Sequence, residues 1–438
     1  MFLFPSFGRL PLLKGCLQRS LWLVLALLWV FPSEVGAETR FSLLTASPGK
    51  AVWAHYGHTG IRYQDTDKHL DVVFNYGLFD FSAPNFIGRF VTGQTDYEVG
   101  TTEFYNFILE YQLENRAVTE QVLNLTPAEK DRLLNALLVN IQPENKVYRY
   151  NFFFKNCATQ PRDIIEAALD GQVCYTLDPT CPSLREVVHQ HTEAYPWVQY
   201  GIDFALGAKA DDAADLRVQQ FAPTILMASF ASAVIETDST LAQSDSAVIQ
   251  GATPGLRPLV ASTTELASVD PALEAAKPWT PSPLLVMWLV TGLTLLLVVM
   301  AWPLKKGAGY QPSNKGSHTL TAMMNVWTGL IYGVAGVLGS LLYFLVFFSE
   351  HPTVDVNYLA IWLHPLHLVF ALGLLFKPFR LKVAPYYLFA NLPLQLFAFA
   401  GVLFLPQTLH PAAYPFLLTL LLIGLHAEFV VFKRHRHA

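Results

Sequence analysis

Two stretches of this 438-residue chain hold residues able to do nucleophilic chemistry together. One is Tyr150-Asn151-Phe152-Phe153-Phe154-Lys155-Asn156-Cys157-Ala158-Thr159, the other Tyr56-Gly57-His58-Thr59-Gly60. The first reads as an aromatic strand over 146–154 that stops at Asn156-Cys157 and turns into a helix over 162–169. A cysteine at such a junction lies near the positive end of a helix dipole, which favours thiolate over thiol. Cys157 is therefore the candidate nucleophile and His58 its candidate base. Asn75, expected in the neighbouring strand, is a candidate to orient the imidazole through its amide oxygen. Backbone N–H groups at the helix start, near Cys157 and Ala158, are candidates to stabilise an oxyanion. The order His before Cys excludes the ordinary papain arrangement and allows a circularly permuted one. The plain alternatives are a buried apolar cysteine and a hairpin histidine.

The remaining polar residues carry weaker signals. Phe152-Phe153-Phe154 reads as core rather than a lipid pocket. His55 and His69 read as surface polar residues. His189 and His191 stand two apart, which is no metal-ligand spacing, so no metal is expected, and no cofactor motif is present. Cys16 falls in an N-terminal leader, leaving Cys157, Cys174 and Cys181. Cys174 and Cys181 flank Asp178-Pro179-Thr180 and can close a small loop disulfide, with Cys157 left over as the odd thiol. Pairing of Cys157 with either of the others is the alternative.

The elements that must hold these residues follow from local patterns. Strands are expected at 58–63 and 70–75, with a turn at Asp65-Thr66-Asp67 and a break at Asn75-Tyr76-Gly77. A short helix is expected at 84–90, a strand at 96–100, a helix at 102–114 and a strand at 117–123. Thr126-Pro127-Ala128-Glu129 is a capping box with proline at the first helical position, so a helix runs to about residue 140. Helices are also expected at 183–190 and 223–234. The segment 236–280 shifts to Ser, Thr, Ala and Pro and reads as an extended linker.

The composition is 52% hydrophobic and 14% charged, well under the usual quarter for soluble domains. The apolar excess lies at the two ends. Residues 1–37 read as a secretory signal: Arg9, Lys14 and Arg19, an apolar run over 21–31, then Val35-Gly36-Ala37. Five apolar stretches, 284–304, 321–348, 358–376, 386–405 and 413–432, approach bilayer-spanning length. Lys305, Lys306, Lys377, Arg380, Lys382, Lys433, Arg434 and Arg436 lie on alternate flanks, and 349–357 and 406–412 lack Lys and Arg. The positive-inside rule then puts residues 38–235 in the periplasm and the C-terminus of the membrane region, 281–438, in the cytoplasm. His364 and His367 fall within the third span, where histidine is functional by default, although His364 precedes Pro365 and can instead cap a break. Glu350 to Asp355 reads as an outer loop. A net charge of −5 with no basic stripe outside the membrane flanks excludes nucleic-acid binding. The fold class is α+β, followed by an all-α membrane region of about five helices.

Four motifs in order resemble one family. They are Leu44-Thr45-Ala46-Ser47-Pro48-Gly49, Gly57-His58-Thr59, Phe74-Asn75-Tyr76-Gly77-Leu78-Phe79-Asp80-Phe81 and Tyr150 to Thr159. Over 41–235 they resemble the Lnb-type N-terminal periplasmic domain, itself similar to permuted NlpC-like papain folds. The resemblance implies a circularly permuted papain-like domain with His58 and Cys157 catalytic and Asn75 as third member. It implies a lipoprotein transacylase activity, moving an acyl chain from a diacylglyceryl group to an N-terminal amine. Gln160 departs from the basic residue many relatives carry. The expected partners are thus lipid or lipoprotein substrate and the inner membrane, and the expected enzyme is a thiol acyltransferase working through a thioester. The competing readings are a cell-envelope cysteine hydrolase and a non-enzymatic binding module.

Overall fold

The computed structural model describes residues 39–237, 255–273, 279–301, 315–401 and 403–435. The expected signal, the flank Lys305-Lys306 and much of the expected linker lie outside these residues. The elements run β1 (Thr39–Ala46), β2 (His58–Asp65), β3 (Leu70–Leu78), α1 (Phe86–Val91), β4 (Asp96–Glu103), α2 (Phe104–Leu113), β5 (Val118–Leu123), α3 (Pro127–Asn140), β6 (Val147–Arg149), α4 (Thr159–Ala168), β7 (Gln172–Cys174), α5 (Leu184–Thr192), α6 (Pro196–Ala205), α7 (Leu216–Gln219), α8 (Pro223–Ser232), β8 (Val234–Glu236), β9 (Leu256–Pro258) and β10 (Val260–Ala267). The second region holds α9 (Pro283–Ala301), α10 (Lys315–Phe348), α11 (Leu366–Gly373), α12 (Lys377–Lys382), α13 (Ala384–Gly401) and α14 (Ala413–His435).

Seven strands form one antiparallel sheet in the order β10-β5-β1-β2-β3-β4-β6. Side chains alternate across it. Phe41, Leu43, Ile61, Tyr63, Phe74 and Tyr76 pack on α3 and α4 through Leu133, Leu137 and Ile165. Leu44, Ala46, Val73 and Val118 pack on Phe107 and Tyr111 of α2. Both faces are therefore covered, and the sheet cannot slip by one residue without exposing a core. The second face also buries charge. Arg62 bonds Glu120 at 2.9 Å and Asp71 at 2.7 Å, under the ring of Phe104.

The capping box forms as the sequence dictates: Thr126 N–H donates to Glu129 Oε2 at 2.8 Å and Glu129 N–H donates back to Thr126 Oγ1 at 3.3 Å. Three local expectations fail. The run at 75–77 does not end its strand; β3 continues to Leu78, with a register shift between Tyr76 and Leu78. The aromatic strand stops at Arg149, and residues 151–155 close a tight loop in which Asn151 Oδ1 accepts from the N–H groups of Phe153 and Phe154. The segment 236–280 is not simply a linker. β10 pairs along β5 as a sheet edge, and Arg257 reaches Glu129, which is fully buried. The Ser- and Thr-containing stretch Ser262-Thr263-Thr264 suits such an edge, with its polar residues outward.

In the second region α9 and residues Thr319–Phe348 of α10 are long and apolar enough to cross a membrane. The expected third span, 358–376, is not one helix. A 3₁₀ turn (Tyr358–Ile361) is followed by a break, and α11 has only eight residues. Pro365 lacks an N–H and disfavours helix at the residue before it, which is His364. The break packs on α10 backbone to backbone. A Cβ added at Gly339 would lie 2.6 Å from the His364 nitrogen, and one at Gly336 would overlap Leu368. Small residues at such contacts are the usual membrane solution, with hydrogen-bonded polar side chains beside them. His364 Nε2 meets Asn391 Oδ1 at 2.8 Å, His367 Nδ1 meets the Tyr387 hydroxyl at 2.7 Å, and Thr291 Oγ1 bonds the Pro415 carbonyl at 2.7 Å.

The two regions dock through the two loops that lack Lys and Arg. Gly207 N–H donates to Thr353 O at 2.7 Å, Glu350 N–H to Thr92 O at 2.8 Å, and Gln407 Nε2 to Leu206 O at 3.0 Å. Glu350 to Asp355 is therefore a seam rather than a free outer loop.

Candidate active site

The three residues singled out from sequence converge at one end of the sheet. His58 opens β2. Gly60, two residues on and on the same face, stands opposite Asn75 of β3. His58 and Asn75 are thus diagonal neighbours, and their side chains bond, Nε2–H donating to Asn75 Oδ1 at 2.5 Å. That bond fixes the tautomer whose Nδ1 is bare, the form a general base needs. The ring lies 6.4 Å from Tyr111, nearly parallel to it.

Cys157 arrives from the other side of the sequence, on the turn before α4. Its sulfur lies close enough to the Thr59 backbone N–H, one peptide from His58, for that dipole to pull its pKa down. Its Cβ lies 3.3 Å from where a Cβ on Gly77 would stand. Gly77 has φ +90°, which any other residue would hold under strain, so two independent constraints select glycine beside the thiol.

Asn156 holds the turn. It is buried, and all its amide capacity is used. Oδ1 accepts from Ala158 N–H at 2.9 Å and Thr159 N–H at 3.0 Å, and Nδ2 donates to the carbonyls of Phe152 and Phe221, each at 2.9 Å. The side chain works as the cap of α4. It also takes the Ala158 amide that the sequence offered for an oxyanion, leaving that role to the Cys157 N–H.

The electrostatics correct the expected thiolate. Burial pushes the Cys157 thiol up to about 11, outweighing the backbone N–H dipoles near it and the charge of Arg116, which pull it down. Burial likewise pulls His58 down to about 4, opposed by the Asn75 bond and assisted by Arg116. The resting pair is thiol and neutral imidazole. Helix-start position alone does not set a thiol's charge when partial burial costs the anion more than the helix start gives it. Four phenols feel the sulfur's charge: Tyr97, Tyr111, Tyr148 and Tyr150, with Tyr97 pushed up to about 12 mainly by burial.

Arg116 is the residue sequence reading missed. It is buried, donates through Nε to the Ser47 carbonyl at 2.7 Å, and lies over the Tyr111 ring. Gly49 of the Ser47-Pro48-Gly49 turn leaves it room, since a Cβ there would sit 3.0 Å from Arg116 Cδ. That turn stands in the first motif, and this was the signal available.

Other candidates resolve differently. Cys157, Cys174 and Cys181 are all free, so the expected Cys174–Cys181 bridge is not made. Cys174 Sγ lies 3.6 Å from Glu236 on an edge strand, whereas Cys181 is buried beside Gln190. His55 is not a surface residue: it is buried and stacks on Tyr195 at 3.9 Å. His189 bonds Asp203 at 2.9 Å and His191 bonds Thr224 Oγ1 at 2.8 Å. Among the described residues no cluster of three or more His, Cys, Asp or Glu could hold a metal. Phe153 is core, but Phe154 is exposed.

Comparison with known proteins agrees with this layout. The family described as the Lnb N-terminal periplasmic domain matches residues 36–190, and the Lnb transmembrane domain matches residues 275–435. Neither the curated proteins nor the solved structures searched contain a match to the chain. The two family matches fall on the sheet-bearing region and the helical region in that order, so the chain is a membrane protein that belongs to the Lnb family, with its periplasmic domain first and its transmembrane domain second.

Proposed function

We propose that the protein is a membrane-anchored thiol acyltransferase that moves a fatty acyl chain between lipid-borne groups, the acceptor being the N-terminal amine of a lipoprotein. The observation that carries this reading is the Asn75-bonded imidazole of His58 one peptide from the Thr59 amide whose dipole acts on Cys157 Sγ. In this reading Nδ1 of His58 takes the thiol proton as Sγ attacks an ester carbonyl. The resulting oxyanion is met by the Cys157 N–H and the nearby positive charge of Arg116. Collapse breaks the ester C–O bond, the imidazolium returns its proton to the leaving alkoxide, and the acyl group remains as a thioester. An amine then attacks the thioester, losing a proton to His58, and the amide forms as the thiol is restored.

The neutral resting pair fits this sequence. Each unit of the gap between the two groups costs about 1.4 kcal/mol to transfer a proton unaided, so transfer accompanies attack rather than preceding it. The half-buried position of Cys157 near the buried phenols of Tyr97, Tyr111 and Tyr148 limits water at the thiol and suits an acceptor that must outcompete it. The seam and the Lys- and Arg-free loops support a domain at the outer face of the inner membrane, with the C-terminus in the cytoplasm. The His-before-Cys order on strand and helix supports a permuted papain-like arrangement. In vesicles holding a diacylated lipoprotein, the wild-type protein converts it to an N-acylated lyso form, read by mass spectrometry of its N-terminal peptide. Cys157→Ser lowers the rate at least about 100-fold. Equal rates in the two proteins remove the reading.

A further inference from the structure

After Gly77 the chain runs along the margin of the core, with Phe79 and Phe86 half-buried against it. Phe79 stacks on Tyr97 at 5.0 Å, which itself stacks on Tyr150 at 4.0 Å beside the thiol turn. Phe79 then meets Phe86 at 5.8 Å, and Phe86 meets Phe90 at 6.3 Å. This ladder of rings runs from the phenols around Cys157 to the end of α1. Its outer side is bare: Phe81 is 58% exposed, Ile87 77% and Phe90 42%. Core packing does not explain such residues on a six-residue helix with no buried member.

What lies beside that face is fixed by the seam. Ser349 Oγ donates to Val91 O at 2.9 Å, and His351 Nε2 donates to Phe90 O at 2.9 Å. Ser349 directly follows Phe348, the last residue of a 34-residue helix, where Phe347 and Phe348 are 70% and 67% exposed. α1 therefore stands where α10 leaves the bilayer, with its apolar side chains at the depth of lipid headgroups and upper acyl chains. The two carboxylates on the 349–357 side of the seam, Glu350 and Asp355, are paired with Arg149 and Lys209, so neither is an uncompensated charge that holds this face off a lipid surface.

We infer that the exposed face of residues 79–90 lies in the outer surface of the bilayer, and that the aromatic ladder behind it is the path along which a membrane lipid presents its acyl chain to Cys157. The inference deepens the acyl-transfer reading and rests on it for the reaction, but not for the lipid contact. The occupant is a phospholipid or diacylglyceryl chain still rooted in the bilayer. A flexible loop open to water predicts no such contact.

The test uses the full chain in vesicles of phosphatidylethanolamine and phosphatidylglycerol, with a trace of phosphatidylethanolamine bearing a diazirine at the end of one acyl chain. After irradiation, cross-linked peptides are mapped by mass spectrometry in the wild type and in Cys157→Ala. Adducts within 79–90 in both proteins are expected, at least fivefold above those on the exposed turn at 142–146. Ile87→Asp should cut them at least fivefold while leaving alkylation of Cys157 by iodoacetamide unchanged. Labelling confined to the membrane helices overturns the path. Labelling of 79–90 in vesicles that also hold diacylated lipoprotein, without any thioester on Cys157, overturns the acyl-transfer reading and leaves the bilayer contact standing.

Discussion

At the residue scale, the site turns on how water is excluded. The sequence placed Cys157, His58 and Asn75 in one candidate constellation, and the fold brings all three to one end of the sheet. The expectation of a thiolate failed because it used only local chemistry. A helix start favours the anion by a modest amount, whereas burial near rings assembled from three distant segments disfavours it by more. Arg116 was hidden for the same reason, since its neighbours His58 and Cys157 are tens of residues away on either side. The pH dependence follows. With the Cys157 thiol pushed up to about 11, alkylation by iodoacetamide in the resting protein should rise about tenfold per pH unit from 7 to 10, without a plateau near 8. A plateau there would place the thiol in its ordinary range. His58 has the opposite sign. Its folded value near 4 lies below the ordinary 6.5, so the stability it contributes is present above pH 6.5 and is lost as pH falls toward 4.

At the element scale, what was legible was whatever repeats locally. The capping box of α3, the period of α2 and the alternation of β2 formed where their residues said, while β3 ran past its expected break to Leu78. What was not legible depends on partners. β10 looks like a polar linker until β5 is beside it. The break at His364-Pro365 was written in the proline, but an apolar count over 358–376 hid it. The loop at 151–155 replaces an expected strand because Asn151 bonds its own backbone, a competition that aromatic content does not reveal. The element most exposed to a single change is the turn before α4. Asn156→Ala removes acceptors for two amides and donors to two carbonyls. It should lower the stability of the full chain by about 2 kcal/mol in a denaturant titration followed by Trp fluorescence. No change in midpoint would mean that water replaces the side chain at little cost.

At the scale of the whole molecule, the periplasmic domain is joined to its membrane region by a built interface and not by a tether alone. Asn357 is buried, donates to the Phe204 carbonyl at 2.9 Å, and shares Gln407 with the Leu206 carbonyl. Lys209 and Asp355 pair at 2.5 Å on the exposed rim, where such a pair contributes little. Asn357→Ala should therefore increase proteolysis between residues 205 and 215 in vesicles, whereas Asp355→Asn should not. Equal cleavage in both would show that the buried polar contacts do not hold the seam. The positive-inside pattern puts the domain on the side of the loops that lack Lys and Arg, and the seam docks the domain on those same loops. How the domain sits on that side was not readable, since it depends on backbone groups of residues 207, 350 and 353.

The central claim is that Cys157 carries an acyl group during turnover. Its most direct test is the intact mass of the full-length protein after brief exposure to diacylated lipoprotein in vesicles, wild type beside Cys157→Ala. The account predicts a hydroxylamine-labile mass increment of one fatty acyl chain on the wild type, mapped to the Cys157 peptide and absent from the variant. Conversion of the lipoprotein by the wild type with no such adduct, or an adduct of equal size on Cys157→Ala, would contradict it.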